Sequence, residues 1–336
     1  MAQSIPQTVK QWNVKGEGSF DELKFSEQPL PQVGDSQVLV KIQGASLNAR
    51  DVIPGSDGAG TVLAIGNNVT RFKPGDHVIT LFNQGHIGGS LNGLSIGTGL
   101  GGTIHGTFRT AGAFDEQGLV HMPPNLNFVE AATLTCAGLT AWNALFGLSD
   151  KKVLPGHWVL TQGTGGVSIF ALQFAKVAGA RVIATTGSNA KAEILKKLGA
   201  DYIINYRETP EWGAKAKQIT GGAGVDHVVE VAGPTSMKQS LASIKIDGVI
   251  TIIGFVGGTD KDQPGFLENL THVCTTRGIL VGSRVQMEEM CAAIEANPKT
   301  LRPVLDPKVF TLDQLKEAYE YQWSGKHQGK VGIKIE

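Results

Sequence analysis

The sequence predicts an α/β fold in two parts, a small β-rich domain and a doubly wound parallel-sheet domain. Three observations carry this. The first third alternates short apolar runs with turn chemistry, as in VLVKIQGASLNA (38–49) and GTVLAIGNNVTRFKPGDHVITLF (60–82). From residue 158 onward, strand-like and helix-like segments alternate, the pattern of a parallel sheet covered by helices on both faces. The tail, 302–336, leaves that rhythm and carries a helix-like LDQLKEAYEYQW and a strand-like KVGIKI.

Each element has a local reason. In 38–49 apolar and polar residues alternate at the start, the period of a half-buried strand. Within 60–82, Gly66-Asn67-Asn68 and Pro74-Gly75-Asp76 supply turns around two strands. A glycine-dense stretch follows, from Gly85 to Gly112. Ile87, Leu91, Leu94, Ile96, Leu100 and Ile104 are spread through it, which points to an ordered loop with many tight turns. A flexible linker is the alternative. FVEAATLTCAGLTAWNALF (128–146) has helical composition and spacing. HWVLTQG then reads as a strand and VSIFALQFAKVAGA (167–180) as an amphipathic helix. RVIATTG, AKAEILKKLGA, YIINY, VDHVVEVAG and GVITIIGFVG continue the series. That order is the one expected of a dinucleotide-binding sheet.

Bulk properties narrow the class. A length of 336 residues suits two domains. Lys+Arg and Asp+Glu are 30 each, so no basic footprint for nucleic acid is expected. No apolar run is long enough to span a bilayer, and MAQSIPQTVK lacks the apolar core of a secretory signal. Cys136, Cys274 and Cys291 form neither a disulfide framework nor a CxxC pair. A reducing, cytoplasmic location is the expectation.

The strongest local motif is Gly163-Thr164-Gly165-Gly166-Val167-Ser168, which follows WVLTQ and opens a helix. Glycines there allow a tight turn and close approach of backbone to a pyrophosphate, which the free N–H groups of the helix start then bind. Ser168 stands where the fingerprint has glycine, and a purely structural strand–helix turn is the plain alternative. The end of the next strand decides between cofactors. NAD needs an acid there for the ribose 2′-OH. RVIATTGSNAK instead offers Thr185, Thr186, Gly187 and Ser188, followed by Lys191. Such a segment accepts the 2′-phosphate of NADPH. A solvated helix lysine is the other reading of Lys191.

The same residues carry a family resemblance that covers nearly the whole chain. SLNARD, VIPGSDGAGTV, FKPGDHVIT, EAATLTCAGLTAWNALF, GTGGVS, KKLGADYIINYRE, RGILVGSR and GKVGIKI are the matching stretches. The chain resembles quinone-oxidoreductase-like members of the medium-chain dehydrogenase/reductase superfamily, especially those labelled zinc-type alcohol dehydrogenase-like. The resemblance implies a GroES-like catalytic domain at 1–128 and 302–336, and a Rossmann domain at 129–301. It implies Asn48 beside the nicotinamide ribose and Thr140 facing the nicotinamide. Ser188, Lys191 and Tyr206 would surround the adenosine phosphate. Gly254 and Phe255 would line the nicotinamide side, with Gly282, Ser283 and Lys330 nearby. A homodimer is a further implication of the family.

Zinc-dependent relatives use an early cysteine, a GHE segment and a later ligand. Here the early segment is GASLNARD and the GHE counterpart reads PGSDGAG, through Ser56 and Asp57. Three cysteines cannot build a four-cysteine lobe, and a metal gathered by His77, His86, His105 and His121 is a remote alternative. No bound metal is therefore expected. Substrate polarisation would fall to hydrogen-bond donors, Asn48 and Arg50 by motif and Ser56 more speculatively. Cys136 reads as a packed helix residue rather than a nucleophile. The expected function is reduction of a quinone, enone or similar conjugated carbonyl by NADPH. Alcohol–carbonyl interconversion, a nucleotide-binding protein with little turnover, and a biosynthetic tailoring role are the alternatives. In the family a sizeable segment separates SLNARD from VIPGSDGAG, whereas here Asp51 runs into Val52. The resemblance then implies a wider, wetter cleft and poor turnover of small generic enones, unless the Gly85–Gly112 loop closes the gap.

Overall fold

The computed structural model describes residues 5–14, 20–48 and 55–336. The junction of Asp51 with Val52, and Arg50 with it, lies outside the described residues. The chain divides into two compact units, Met1–Leu139 with Val281–Glu336, and Thr140–Leu280.

The first unit is β-rich. β1 (Thr8–Val14) and β2 (Leu23–Pro29) form an antiparallel ribbon. β3 (Gln37–Ser46), β4 (Asp57–Ile65), β5 (His77–Thr80), β6 (Ala111–Asp115) and β7 (Leu119–His121) follow, with the short helix α1 (Gly93–Ile96) inside the glycine-rich stretch. β3 is the hub. It pairs with β4 along one edge, and its other edge is shared between β6 at one end and the late strand β15 (Gly332–Lys334) at the other. The sheet buries Val38, Val40, Ile42, Val62, Val78, Phe108, Phe114 and Leu119, each such side chain contributing roughly 1.5–3 kcal/mol.

The glycine-rich stretch is ordered, but its apolar residues do not make a core. Leu100 is buried, whereas Ile87, Leu94, Ile96 and Ile104 are exposed, Leu94 to 88%. Order comes instead from local hydrogen bonds. Asn92 caps α1 through the N–H groups of Leu94 and Ser95, and Thr98 closes the turn against Gly85.

α2 (Phe128–Ala132) leads into a π-helical turn, Leu134–Gly138, and then α3 (Leu139–Phe146). The second unit continues with β8 (Trp158–Gln162), α4 (Gly166–Val177), β9 (Arg181–Thr186), α5 (Asn189–Lys197), β10 (Tyr202–Asn205), α6 (Trp212–Ile219), β11 (Val225–Glu230), α7 (Pro234–Ser243), β12 (Ile244–Ile252), α8 (Glu268–Thr271) and β13 (Thr275–Gly278). All five residues of β8 are buried, the mark of a central strand covered on both faces. Trp158, Leu160, Ile183, Val228, Leu241 and Ile250 fill this second core.

The chain returns to the first unit with α9 (Arg284–Ala296), β14 (Phe310–Thr311), α10 (Leu315–Trp323) and β15 (Gly332–Lys334). Sequence reading drew the boundaries at 128/129 and 301/302. In the structure α2 and α9 group with the first unit, because α2 packs on β3 and β4 and α9 packs on β7. No helix among the described residues is long and apolar enough to cross a membrane.

His227, on β11, is 4% exposed. Burial, with His157 nearby, pushes its pKa from 6.5 down to about 4. Between those values the unfolded chain binds the extra proton, so stability falls as pH drops from about 6.5 to 4. The full effect is on the order of 3 kcal/mol. Urea unfolding across this range should show a steeper loss for the wild type than for His227→Leu. Equal slopes would remove His227 as the cause.

Candidate dinucleotide site and catalytic centre

In the Thr140–Leu280 unit the strand order is β10-β9-β8-β11-β12-β13, with every neighbouring pair parallel. Chain order reverses between β8 and β11. The crevice at their carboxyl ends is therefore the topological switch point, where open α/β sheets bind ligands.

The glycine turn lies at that edge. Gly163 has φ +78°, a left-handed conformation that favours glycine, and its N–H donates to the Thr185 carbonyl at 2.8 Å. Gly165 is the N-cap of α4, and no side chain caps the helix there. A Cβ added at Gly163 or Gly165 would meet nothing within 4 Å. Thr164 is buried and Val167 half-buried. The approach to the start of α4 over these glycines is thus open, as a pyrophosphate requires. Ser168, the departure from the fingerprint, is 2% exposed and donates its hydroxyl to the Gln162 carbonyl at 2.6 Å. It packs as a small residue and satisfies the end of β8.

Ser188, Lys191 and Tyr206 come together at the carboxyl ends of β9 and β10. The Ser188 hydroxyl oxygen caps α5, accepting from the Lys191 N–H at 3.4 Å. The Tyr206 N–H donates to the Thr186 carbonyl at 3.0 Å. Its hydroxyl lies 2.5 Å from where a Cβ on Gly187 would stand, so the ring closes directly over this glycine.

Sequence reasoning missed the support behind this edge. β11 ends on Glu230, fully buried. Its carboxylate accepts from the N–H groups of Ala232 and Gly233, from Ser236 and Ser240, and from Gln162 Nε2, at 2.5–3.0 Å. Five donors make a buried carboxylate tolerable without a cation. Gln162 Oε1 in turn accepts from the Val231 and Ala232 N–H groups. The residue before the glycine turn is thereby tied to the loop after β11. An acid ending an apolar strand ahead of small residues was the available signal. Gly254 and Phe255 sit just past β12, where Val256 and Gly257 N–H groups donate to Val231 and Ala232. Phe255 is 77% exposed.

The first unit holds a second constellation. Asp57 is fully buried and Lys330 is 5% exposed. Lys330 Nζ donates to the Leu47 carbonyl at 2.5 Å, to Asn48 Oδ1 at 2.7 Å and to Asp57 Oδ2 at 3.0 Å. Asp57 also accepts from Ser46 Oγ at 2.5 Å, Ser56 Oγ at 3.0 Å and Asn48 Nδ2 at 2.9 Å. Asn48 Nδ2 donates again to Ser56 Oγ at 3.0 Å. The three ammonium protons and the four acceptor sites of the carboxylate are all engaged. Both amide protons of Asn48 are engaged too, so a substrate oxyanion could take one only by displacing Ser56 or Asp57. Gly282 packs against Leu139, and Ser283 caps α9 in a reciprocal pair with Gln286. Val281, just before them, has φ +55°, a strained conformation for a β-branched residue. Thr140 and Cys136 are buried, Cys136 within the π-helical turn.

These residues do not fit a zinc ion. Catalytic zinc takes three protein ligands and keeps a position open. Among the described residues, no group of three or more His, Cys, Asp or Glu is placed to hold a metal. Asp57 is committed to Lys330, Asn48, Ser46 and Ser56. His77 packs against Phe128, His121 against Phe72, and His86 pairs with the Gly89 carbonyl.

Comparison with known proteins agrees with this architecture. Residues 34–124 match the alcohol dehydrogenase GroES-like domain, and residues 166–296 match the zinc-binding dehydrogenase family. A zinc-type alcohol dehydrogenase-like protein of Schizosaccharomyces pombe is 46% identical over 94% of this chain and 96% of its own. A chloroplastic quinone-oxidoreductase of Triphysaria versicolor is 30% identical over 94% of this chain and 95% of its own. A crystal structure from Sinorhizobium meliloti 1021, described as an alcohol dehydrogenase, is 34% identical. It superposes with a TM-score of 0.89 over 98% of this chain and 100% of that one. The chain belongs to the medium-chain dehydrogenase/reductase superfamily. It is an alcohol dehydrogenase-like oxidoreductase with a GroES-like and a Rossmann-like part.

Two outcomes follow for the buried pair. Lys330→Met leaves Asp57 without its counter-charge and should cost about 3–5 kcal/mol of stability. Asp57→Asn combined with Lys330→Met removes both charges, and urea unfolding should show most of that loss recovered. A double variant no more stable than the single would show that charge is not the cause. Elemental analysis of the purified protein should find far less than one zinc per chain; a stoichiometric zinc would contradict the ligand analysis.

Proposed function

We propose that the protein is an NADPH-dependent, zinc-independent reductase of a quinone, an enone or a related conjugated carbonyl. The observation that carries the cofactor is the grouping of Ser188, Lys191 and Tyr206 where β9 ends without an acid. In this reading Gly163 supplies the left-handed turn, and Thr164, Gly165, Gly166 and Val167 hold the pyrophosphate with backbone N–H groups. Ser188, Lys191 and Tyr206 hold the 2′-phosphate. The Ser188 hydroxyl can donate to phosphate while its oxygen caps α5. Asn48 stands at the nicotinamide ribose, with its carboxamide orientation set by Lys330. Thr140, Gly254, Phe255, Gly282 and Ser283 shape the nicotinamide side. Bound NADPH supplies the hydride.

The acceptor follows from the donor set. Asn48, Ser56, Asp57 and Lys330 are fixed hydrogen-bonding groups rather than metal ligands. That favours a substrate whose developing negative charge spreads over a conjugated system and needs less local stabilisation. The quinone-oxidoreductase among the relatives supports this. The direct join of Asp51 to Val52 further favours a bulky conjugated carbonyl over small generic ones. Arg50, beside that join, is our candidate for an additional donor. Alcohol–carbonyl interconversion is the second reading, supported by the description of the Sinorhizobium meliloti neighbour. The reading includes a cytoplasmic enzyme that acts on small molecules and can form a homodimer.

The test is NADPH oxidation against a panel of quinones, small and bulky enones, and aldehydes. Turnover of bulky enones or quinones is expected, and turnover of aldehydes alone would favour the second reading. Lys191→Ala should weaken NADPH binding about 10- to 100-fold, the worth of a charge-assisted bond to phosphate, and leave NADH nearly unchanged. Equal losses for both cofactors would sink the phosphate assignment.

A further inference from the structure

The residue after Ser188 is bonded to a carboxylate. Glu208 Oε1 accepts from Asn189 Nδ2 at 2.8 Å and from Asn205 Nδ2 at 2.9 Å. The second proton of Asn205 Nδ2 goes to Asn189 Oδ1 at 2.8 Å. Asn205 Oδ1 accepts from the Arg207 N–H at 3.1 Å, and the Glu208 N–H donates to the Asn205 carbonyl at 3.1 Å. The two asparagines thus bind each other and share one carboxylate oxygen. Asn189, Asn205, Glu208, Thr209, Lys215 and Ile219 border a groove of about 480 Å³ along β10. The Tyr206 hydroxyl, by contrast, reaches Gly187.

This arrangement matters because Ser188 is the N-cap of α5. A helix start attracts anions, and Lys191 adds a positive charge one turn in. A glutamate two residues beyond Tyr206 is an intramolecular competitor for the same groups. If it swung toward Ser188 and Lys191 it would occupy phosphate donors and repel the phosphate.

We propose that Asn189 and Asn205 form a clamp that withholds the Glu208 carboxylate from the start of α5, and that these three residues set cofactor specificity. The inference rests on the NADPH reading above and assigns residues that reading does not use. Asn189 and Glu208 are exposed and Asn205 is half-buried, so the clamp acts through position rather than through desolvation.

The experiment measures NADPH and NADH dissociation constants by nicotinamide fluorescence. It compares the wild type, Asn189→Ala/Asn205→Ala, that pair with Glu208→Gln added, and Glu208→Gln alone. Releasing the clamp should weaken NADPH roughly three- to tenfold at low salt, leave NADH nearly unchanged, and lose most of its effect in high salt. Adding Glu208→Gln should restore NADPH binding, and Glu208→Gln alone should change it little. An unaltered NADPH constant in the double-alanine variant would overturn the clamp. So would a loss that Glu208→Gln does not repair, or one that salt does not diminish, because the asparagines would then act only on local structure. Weaker NADH binding in Glu208→Gln would also overturn it, by making the glutamate a ribose ligand. A wild type with no preference for NADPH would overturn the cofactor reading itself, and the clamp with it.

Discussion

A single buried ammonium organises the Asp57 region of the GroES-like unit. Lys330, on the approach to β15, joins the end of β3 and the start of β4, which lie far from it in the chain. Its charge is tolerated because Asp57 faces it and each proton has an acceptor. The same contacts dictate how the Asn48 carboxamide is turned, since only Oδ1 can accept from Lys330 and only Nδ2 can donate to Asp57. Asp306 steadies the segment from behind. Its carboxylate accepts from the Gln328 N–H, and its own N–H donates to the Lys330 carbonyl. The position of a lysine at the end of the chain thus reaches back to residue 48.

The nucleotide-binding unit solves a different problem. A parallel sheet brings the loops that follow its strands to one edge, and loops are where backbone polar groups lack regular partners. The Glu230–Gln162 network answers this by giving the loop after β11 and the residue before the glycine turn a common set of bonds. The open space over Gly163 and Gly165 is then a local exception within a tied frame. Rigidity beside an open cradle is what preorganised phosphate binding requires.

Much of this was legible in the sequence. The alternation after residue 158 foretold the parallel sheet, because a 2-residue and a 3.6-residue apolar period are distinct. The strand–turn–helix at the glycine turn and the helix start at Ser188 could be read because turn and cap chemistry are local properties. The Lys330–Asp57 pair could not, since nothing local in GKVGIKI announces a partner in GSDGAG. The clamp on Glu208 was hidden for a similar reason, as Asn189 and Asn205 meet only when α5 and β10 are neighbours. The glycine-rich stretch is ordered and rich in turns, as its sequence suggested. The order that its apolar residues suggested is present, but hydrogen bonds around Asn92 and Thr98 supply it and leave Leu94 in solvent. The unit boundaries shifted because α2 and α9 look like neighbours of the Rossmann helices in sequence but pack on the β-rich unit.

The knot around Asp57 also constrains how such a site can change over generations. Its donors and acceptors are matched in number, so replacing any one member leaves an odd group in a buried place. Ser46, Asn48, Ser56, Asp57 and Lys330 are therefore one heritable unit spread over five codons. Drift at one position is penalised until a second position answers it. A route between this arrangement and a metal-binding one must pass through paired replacements or through a destabilised intermediate protein.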